Sequence, residues 1–417
     1  MLDISSSCPL GDLEDIVDNY KVEEVIIAIA EINGERLREV VKRCRKKNIV
    51  CRIIPCFSRL LEMNSNVRNV EPADLMRRLP RDLDLDKIKD YLHGKSILIS
   101  GAAGSIGSEL VKQVLRYEPK IVIAFDQSEF GLYSLRESLG DSGIKYVLGD
   151  VANKDYVENV FEMEKLDIVF HAAAYKHVPL LESNNAEAIR NNVGGTKVLA
   201  ETSDKYGVKS FILISTDKAV KPSSIMGATK RACELVVQGF SSFSKTRFVA
   251  VRFGNVLGSS GSVVPKFLDQ IMRGGPVTVT HPEATRYFML IDEAVQLVLQ
   301  AAAIGNGGEI FILNMGKPVK ISEMAEDLIF LMGRQPHKDI KIEYIGLRDG
   351  EKVHEELLNE ETEEKTRFED ITIGKTKVPE WEWFNSRIDH ILKFYGDNNH
   401  ETVQTLKEIV PEGEWGS

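Results

Sequence analysis

Long apolar runs are missing from this chain. No stretch of its 417 residues reaches the roughly 18 consecutive apolar positions expected of a membrane-spanning helix. The opening MLDISSSCPL has neither a basic start nor an apolar run, so it does not read as a secretory signal. Cysteine is sparse. Cys8, Cys44, Cys51, Cys56 and Cys233 form an odd set without a CxxC pair, and no histidine joins them at zinc-site spacing. Neither a disulfide framework nor a metal site is expected; reduced thiols in a cytoplasmic protein are. Excess positive charge is missing too. A formal net charge of −10 argues against nucleic acid or an anionic membrane surface as the main partner. Any phosphate must be gripped by local features.

What is present suits a soluble α/β protein of two to three domains, with 43% hydrophobic and 28% charged residues. Near the start, a strand over Glu23–Ala30, a charged amphipathic helix and a strand over Ile49–Pro55 form a βαβ unit. Residues 1–63 are read as a small N-terminal α/β domain, and 64–93 as a linker containing a helix. Strands are then expected at Ser96–Gly101, Ile121–Asp126, Tyr146–Asp150, Ile168–Ala173, Phe211–Thr216 and Phe248–Gly254, with helices between. Such alternation predicts a Rossmann-type doubly wound parallel sheet over 94–256, with its ligand at the carboxyl ends of the strands. A mainly substrate-binding α/β part follows over 257–359. The remainder, 360–417, opens on an acidic run and reads as a solvated tail.

Gly101, Gly104 and Gly107 lie in SGAAGSIGSEL, after a strand and at the opening of a helix. There glycines let backbone approach a pyrophosphate, and the helix start, with Ser105 and Ile106, offers unpaired N–H groups. Asp126 ends the second strand and is followed by Gln127 and Ser128. A carboxylate at that point accepts from ribose hydroxyls and repels a 2′-phosphate, which favours NAD over NADP. Asp150 and Val151, ending the third strand, either hold the adenine edge or cap the next helix.

The GxxGxxG spacing, with HAAAYKHVPLLE, NNVGGT, STDKAVKPSSIMGATK, RFGNVLGSSGSVVPKF, TRYFMLIDEA and GLRDGEK, resembles the extended short-chain dehydrogenase/reductases. Within them it is similar to the UDP-N-acetylglucosamine 4,6-dehydratases of polysaccharide and glycan synthesis. The resemblance covers about Ser96 to Asn359. It implies an NAD-dependent lyase and a homo-oligomer, a dimer being common in the superfamily. It also implies that the N-terminal unit corresponds to the cytosolic domain that follows membrane helices in large members, so that the chain is the cytosolic part of an inner-membrane protein. Ala172 is placed by it against the cofactor.

In that superfamily a Ser or Thr, a Tyr and a Lys form the active site, and the Lys makes the Tyr a better base. Here Thr216 and Lys230 hold the flanking positions, while Met226 stands where Tyr is expected. A thioether moves no protons. The resemblance supplies a substitute: Asp217 as acid to the leaving 6-hydroxyl and Lys218 as base at C5. For this, Asp217 must hold a proton and Lys218 must lose one, and burial favours the neutral form of each. Thr216 orients the 4-hydroxyl, whose proton leaves through Lys230, a water or Asp217. Met at the Tyr position accompanies members that retain configuration at C5.

The resemblance further implies that Arg286 and Arg348 grip the diphosphate of a UDP-sugar, and that Asn255, Ser262, Val263 and Lys266 close over the nucleotide. Lys176 and His177 either face the sugar or, for His177, pack within the fold. Two other functions compete: a nucleotide-sugar 4-epimerase, which needs no acid–base pair at C5–C6, and a non-catalytic NAD-binding sensor or scaffold.

Overall fold

The structure, a computed structural model, describes residues 13–29, 32, 34–54, 68–75, 83–259, 261–357, 363–393 and 400–414. Cys8, Cys56, the opening decapeptide, Ala30, Pro55, linker residues 64–67 and 76–82, and residues 360–362 of the acidic run lie outside the described residues. Among the described residues no helix is long and apolar enough to cross a membrane, and no His, Cys, Asp or Glu cluster is arranged to hold a metal ion. The chain divides into two compact units.

The larger unit comprises 82–255, 291–317 and 347–417. Among the described residues its sheet has nine strands: β1 (Ser96–Ser100), β2 (Ile121–Asp126), β3 (Ile144–Leu148), β4 (Ile168–His171), β5 (Ser210–Ile214), β6 (Arg247–Arg252), β7 (Ile310–Leu313), β8 (Glu363–Lys365) and β9 (Ile371–Gly374). The order is β8-β9-β7-β6-β5-β4-β1-β2-β3. Strands β1 to β7 run parallel, and β9 and β8 add an antiparallel edge. This is the doubly wound architecture expected from the β–α alternation. β1 and β5 are buried throughout, as continuous apolar runs covered on both faces must be.

The helices that matter below are α1 (Ser105–Leu115), α2 (Glu129–Leu139), α3 (Lys154–Glu164), α4 (Val178–Ser183), α5 (Gly195–Lys205), α6 (Ile225–Ser241), α7 (Trp381–Lys393) and α8 (His400–Ile409). Just before α5, residues Ile189–Gly194 widen into a π-turn.

The segment read as a solvated tail is folded. β9 pairs with β7, while Phe384, Ile388, Ile391 and Leu406 of α7 and α8 enter the same core as Phe211 and Phe248. Trp381 meets Phe240 edge to face at 5.1 Å. Apolar positions three and four apart behind the acidic run carry this docking, and charge composition at the start of the segment concealed it.

The smaller unit comprises 1–81, 256–290 and 318–346. Parallel strands Glu24–Ile27 and Val50–Ile53 flank the helix Gly34–Lys46 in sequence, confirming the βαβ reading with shorter strands. That helix is tied to the helix Ile321–Leu331 by Lys42–Glu323 at 2.8 Å and Arg45–Asp327 at 3.2 Å. The N-terminal residues therefore share a unit with part of the expected substrate-binding segment instead of standing apart behind a linker. Burial raises the Asp327 carboxyl to about 6 despite the neighbouring Arg45.

Candidate active site

Parallel strands put their carboxyl ends on one edge of the sheet, and the residues singled out from sequence in the larger unit follow those ends. Gly101 succeeds β1, Asp126 ends β2, Ala172 succeeds β4, Thr216 stands two residues after β5, and Asn255 three after β6. The agreement is with the rule that ligands of doubly wound sheets bind beyond the strand ends.

The glycine turn is built for close approach. Gly101 has φ +69°, and a Cβ there would lie 2.6 Å from the Ala172 carbonyl carbon. At Gly107 a Cβ would meet Gly101 O at 2.0 Å. Gly104 is the N-cap of α1 and brings no side chain to the helix start, leaving backbone donors and the positive end of the helix at the turn. Ser105 and Ile106 form its first turn. Asp126 Oδ2 accepts from Ala103 N at 2.9 Å and Oδ1 from Ser128 N at 2.8 Å, which fixes the carboxylate against the turn with lone pairs remaining. Ser128 itself caps α2, accepting from Gly131 N at 3.1 Å. A dinucleotide's pyrophosphate and ribose fit this arrangement.

Asp150 neither caps α3, a role taken by Asn153, nor stands free. Its carboxylate accepts from Ala152 N at 2.9 Å and pairs with Arg190 at 2.8 Å. Val151 is buried beside it.

Thr216, Asp217 and Lys218 open a short 3-10 turn after β5. Asp217 is 1% exposed. Its Oδ1 accepts from Thr216 Oγ1 at 2.8 Å and from Lys218 Nζ at 3.0 Å, while Oδ2 is buried and has no hydrogen-bond partner. Such an oxygen is costly unless a ligand donates to it or it holds a proton. Lys218 Nζ also donates to Asn255 Oδ1 at 3.2 Å and pairs with Glu355 at 3.5 Å.

Met226 is 3% exposed in the first turn of α6 and belongs to the main core cluster. Lys230, one turn on, is buried and donates to Ile214 O at 2.8 Å, and burial pushes its ammonium below the usual lysine range.

Several groups escaped the sequence reading. Asn192, in the π-turn, accepts from Tyr175 N at 2.8 Å and donates to Tyr175 O at 3.1 Å and Thr229 Oγ1 at 3.0 Å. It braces the loop after β4 against α6. Its presence in NNVGGT was the available signal, since π-turns cluster at functional sites. Ser100, His171 and Thr196 form a buried chain of 2.7 and 2.9 Å contacts. The Thr196 hydroxyl donates to Asn192 O at 2.6 Å, so it accepts from His171 Nε2–H, and Nδ1 accepts from Ser100. Burial, aided by Lys230, holds this imidazole near 3.

Beneath the site, Glu234 is fully buried between Arg252, at 2.6 and 2.5 Å, and Arg231, at 3.2 Å. Ser215, directly before Thr216, donates to it at 2.6 Å. Arg231 continues to Glu412 at 2.7 Å. Glu414 N donates to Pro222 O at 2.8 Å, and Lys352 bridges Glu414 and Lys221 O, each at 2.9 Å. The loop between Lys218 and α6 is thus held from the far end of the chain.

Other expected residues are placed differently. Lys176 and His177 are both exposed, and His177 is the N-cap of α4 without a side-chain cap bond, so it is not packed within the fold. Arg348 is exposed in the larger unit. Ser262, Val263, Lys266 and Arg286 belong to the smaller unit. There Ser262 precedes the helix Val263–Met272, and Arg286 is buried and donates to Thr285 O at 2.7 Å.

Residues 97–376 match the family described as polysaccharide biosynthesis protein. A capsular polysaccharide biosynthesis protein, CapD, of Staphylococcus aureus is 48% identical over 393 residues, covering 92% of this chain and 63% of that protein. The chain thus spans less than two thirds of that relative's length. A UDP-N-acetylglucosamine 4,6-dehydratase (inverting) of Campylobacter jejuni is 35% identical over 64% of this chain and 78% of its own. A UDP-glucose 4-epimerase of Rickettsia canadensis is 34% identical over 66% and 81%. Among solved structures, Pen from Bacillus thuringiensis aligns with a TM-score of 0.64 at 34% identity, over 69% of this chain and 90% of that one. DesIV of Streptomyces venezuelae, a dTDP-glucose 4,6-dehydratase with NAD bound, shares the fold at a TM-score of 0.59 and 20% identity, over 76% and 99%.

Proposed function

The chain belongs to the polysaccharide biosynthesis protein family, and from that premise we propose that it is an NAD-dependent UDP-N-acetylglucosamine 4,6-dehydratase. The product is the UDP-4-keto-6-deoxy sugar. The observation that carries this reading is the Thr216–Asp217–Lys218 group: a hydroxyl, a buried carboxylate and an amine within hydrogen-bond reach, just beyond β5.

NAD, gripped by the Gly101–Gly107 turn and Asp126, supplies a hydride acceptor and donor when bound. Every proton movement falls to the chain's own residues. Thr216 orients the 4-hydroxyl and relays its proton to Asp217 Oδ1, along the bond it already makes. Lys218 takes the C5 proton, which the neighbouring C4 ketone makes acidic. Asp217 then protonates the departing 6-hydroxyl, so the proton gained from O4 leaves with water. Lys218 finally returns its proton to C5. Lys230, whose Nζ is turned to Ile214 O, positions the loop without entering the relay. Met226 lines the site as packing and moves no proton. Arg348, in the same unit as this group, serves the diphosphate, and Met226 in place of Tyr favours retention at C5. The reading also takes the enzyme to work as a cytoplasmic homodimer.

The 4-epimerase reading keeps one supporting observation, the similarity to a UDP-glucose 4-epimerase. One experiment separates the possibilities. The purified chain is incubated with NAD and UDP-N-acetylglucosamine in deuterated water and followed by NMR. A 6-methyl signal with deuterium at C5 is expected, and the C5 coupling reads the configuration. Only the C4 epimer would overturn the dehydratase in favour of the epimerase; bound NAD without turnover would favour the sensor.

A further inference from the structure

Resting on that reading, the proton count leaves one group unassigned. Asp217 must be free to receive the proton from O4, so it cannot also hold the proton that Lys218 must shed to become a base. A single carboxylate holds one proton. Yet the structure pairs Lys218 with Asp217 at 3.0 Å and with a second carboxylate, Glu355, at 3.5 Å. Glu355 comes from the segment after residue 347, far from β5 in sequence, and its side chain is only 6% exposed.

We propose that Glu355 is a positioning residue that takes and holds the Lys218 proton while Lys218 acts as base at C5.

The step balances. An N–H bond of the Lys218 ammonium breaks and an O–H bond forms on Glu355, turning a partly buried ion pair into a neutral pair. Lys218 then carries the C5 proton and gives it back, and Glu355 returns its own proton once the sugar is reduced. The balance needs no acid or base from solvent, although the N–H hydrogens of the partly exposed Lys218 exchange with water, so in deuterated water C5 gains deuterium. The 3.5 Å separation must close by roughly half an ångström or more for a direct transfer. A further oxygen on Lys218, Asn255 Oδ1 at 3.2 Å, is an amide that cannot take a proton but keeps the amine aimed. Lys221, three residues after Lys218, pairs with Glu356 at 3.1 Å, and Lys352, three before Glu355, pairs with Glu414 at 2.9 Å.

An internal acceptor makes turnover independent of pH where a solvent acceptor would not. The test compares kcat–pH profiles, pH 6.5 to 9, of the NAD-loaded full chain and the variants Glu355→Gln and Glu355→Asp. The wild-type profile is expected to be level. Glu355→Gln keeps the hydrogen bond but cannot store the proton, so kcat at neutral pH falls roughly 10²-fold and rises nearly tenfold per pH unit, with KM little changed. Glu355→Asp keeps a level profile and is faster than Glu355→Gln at neutral pH. A level Glu355→Gln profile, at any rate, overturns the proposal, as does an Asp variant slower than the Gln variant. If Lys218→Met turns over normally, the base assignment itself falls. If Lys218→Met is inactive while Glu355→Gln stays level, only the role of Glu355 falls.

Discussion

The Thr216 hydroxyl donates to Asp217 Oδ1 at 2.8 Å, joining the residue proposed to orient the 4-hydroxyl to the residue proposed as acid. In the proposed reaction the missing tyrosine therefore leaves no gap in the proton path. Thr216→Val preserves shape and removes the relay. Turnover should fall roughly 10²-fold or more with KM nearly unchanged, measured by steady-state kinetics on UDP-N-acetylglucosamine. Unchanged turnover would mean that another group serves O4.

Met226 is a packing residue in this geometry. Met226→Leu conserves volume and should lower stability by less than about 1.5 kcal/mol, with turnover retained. Met226→Tyr forces a ring into a filled core, at about 1–3 kcal/mol, and should slow the reaction instead of restoring a base. Urea denaturation and initial rates on the two variants check both statements.

His171 gives the fold an acid sensitivity. The unfolded imidazole takes up a proton below about 6.5, whereas the folded one, buried, does so only near pH 3. Between those values the unfolded chain binds more protons, so stability falls as pH falls, by about 1.4 kcal/mol per unit from this residue. His171→Gln should flatten the slope of unfolding free energy against pH between 6.5 and 4. An unaltered slope would place the sensitivity elsewhere.

Glu234 pairs with both Arg252 and Arg231 while holding Ser215. Glu234→Gln strands the buried Arg252 guanidinium and leaves Arg231 with Glu412, a change worth about 3–5 kcal/mol. The urea midpoint should drop accordingly. Turnover measured well below that midpoint should also fall, because Ser215 immediately precedes Thr216.

The sequence made the strand ends legible because each carries its chemistry locally. The Gly101–Gly107 turn, Asp126 and Thr216–Lys218 all sit where a buried apolar run stops. In the larger unit strand boundaries moved by a residue or two, most at β3, where the expected Tyr146–Asp150 proved to be Ile144–Leu148. Glu355 was illegible for the opposite reason. In GEKVHEEL it looks like one solvated acid among several, and only folding brings it to Lys218. The docking of 363–393 and 400–414 was equally non-local, since their apolar stripes make sense only against a core built elsewhere. The exposed His177 shows the limit of motif reading: adjacency to a site in sequence did not bury it.

The ties from Glu412 and Glu414 to Arg231 and Pro222 carry a consequence for synthesis. Arg231 and Glu412 are 181 residues apart, and at cellular elongation rates of about 5–20 residues per second, roughly 10–40 seconds separate their emergence from the ribosome. During that interval the sheet can assemble while the loop bearing Lys218 lacks its final restraints. A nascent chain would therefore pass through a stage in which the dinucleotide turn is formed before the loop bearing Lys218 is fixed, and the emergence of residues 412–414 would supply that loop's last restraints.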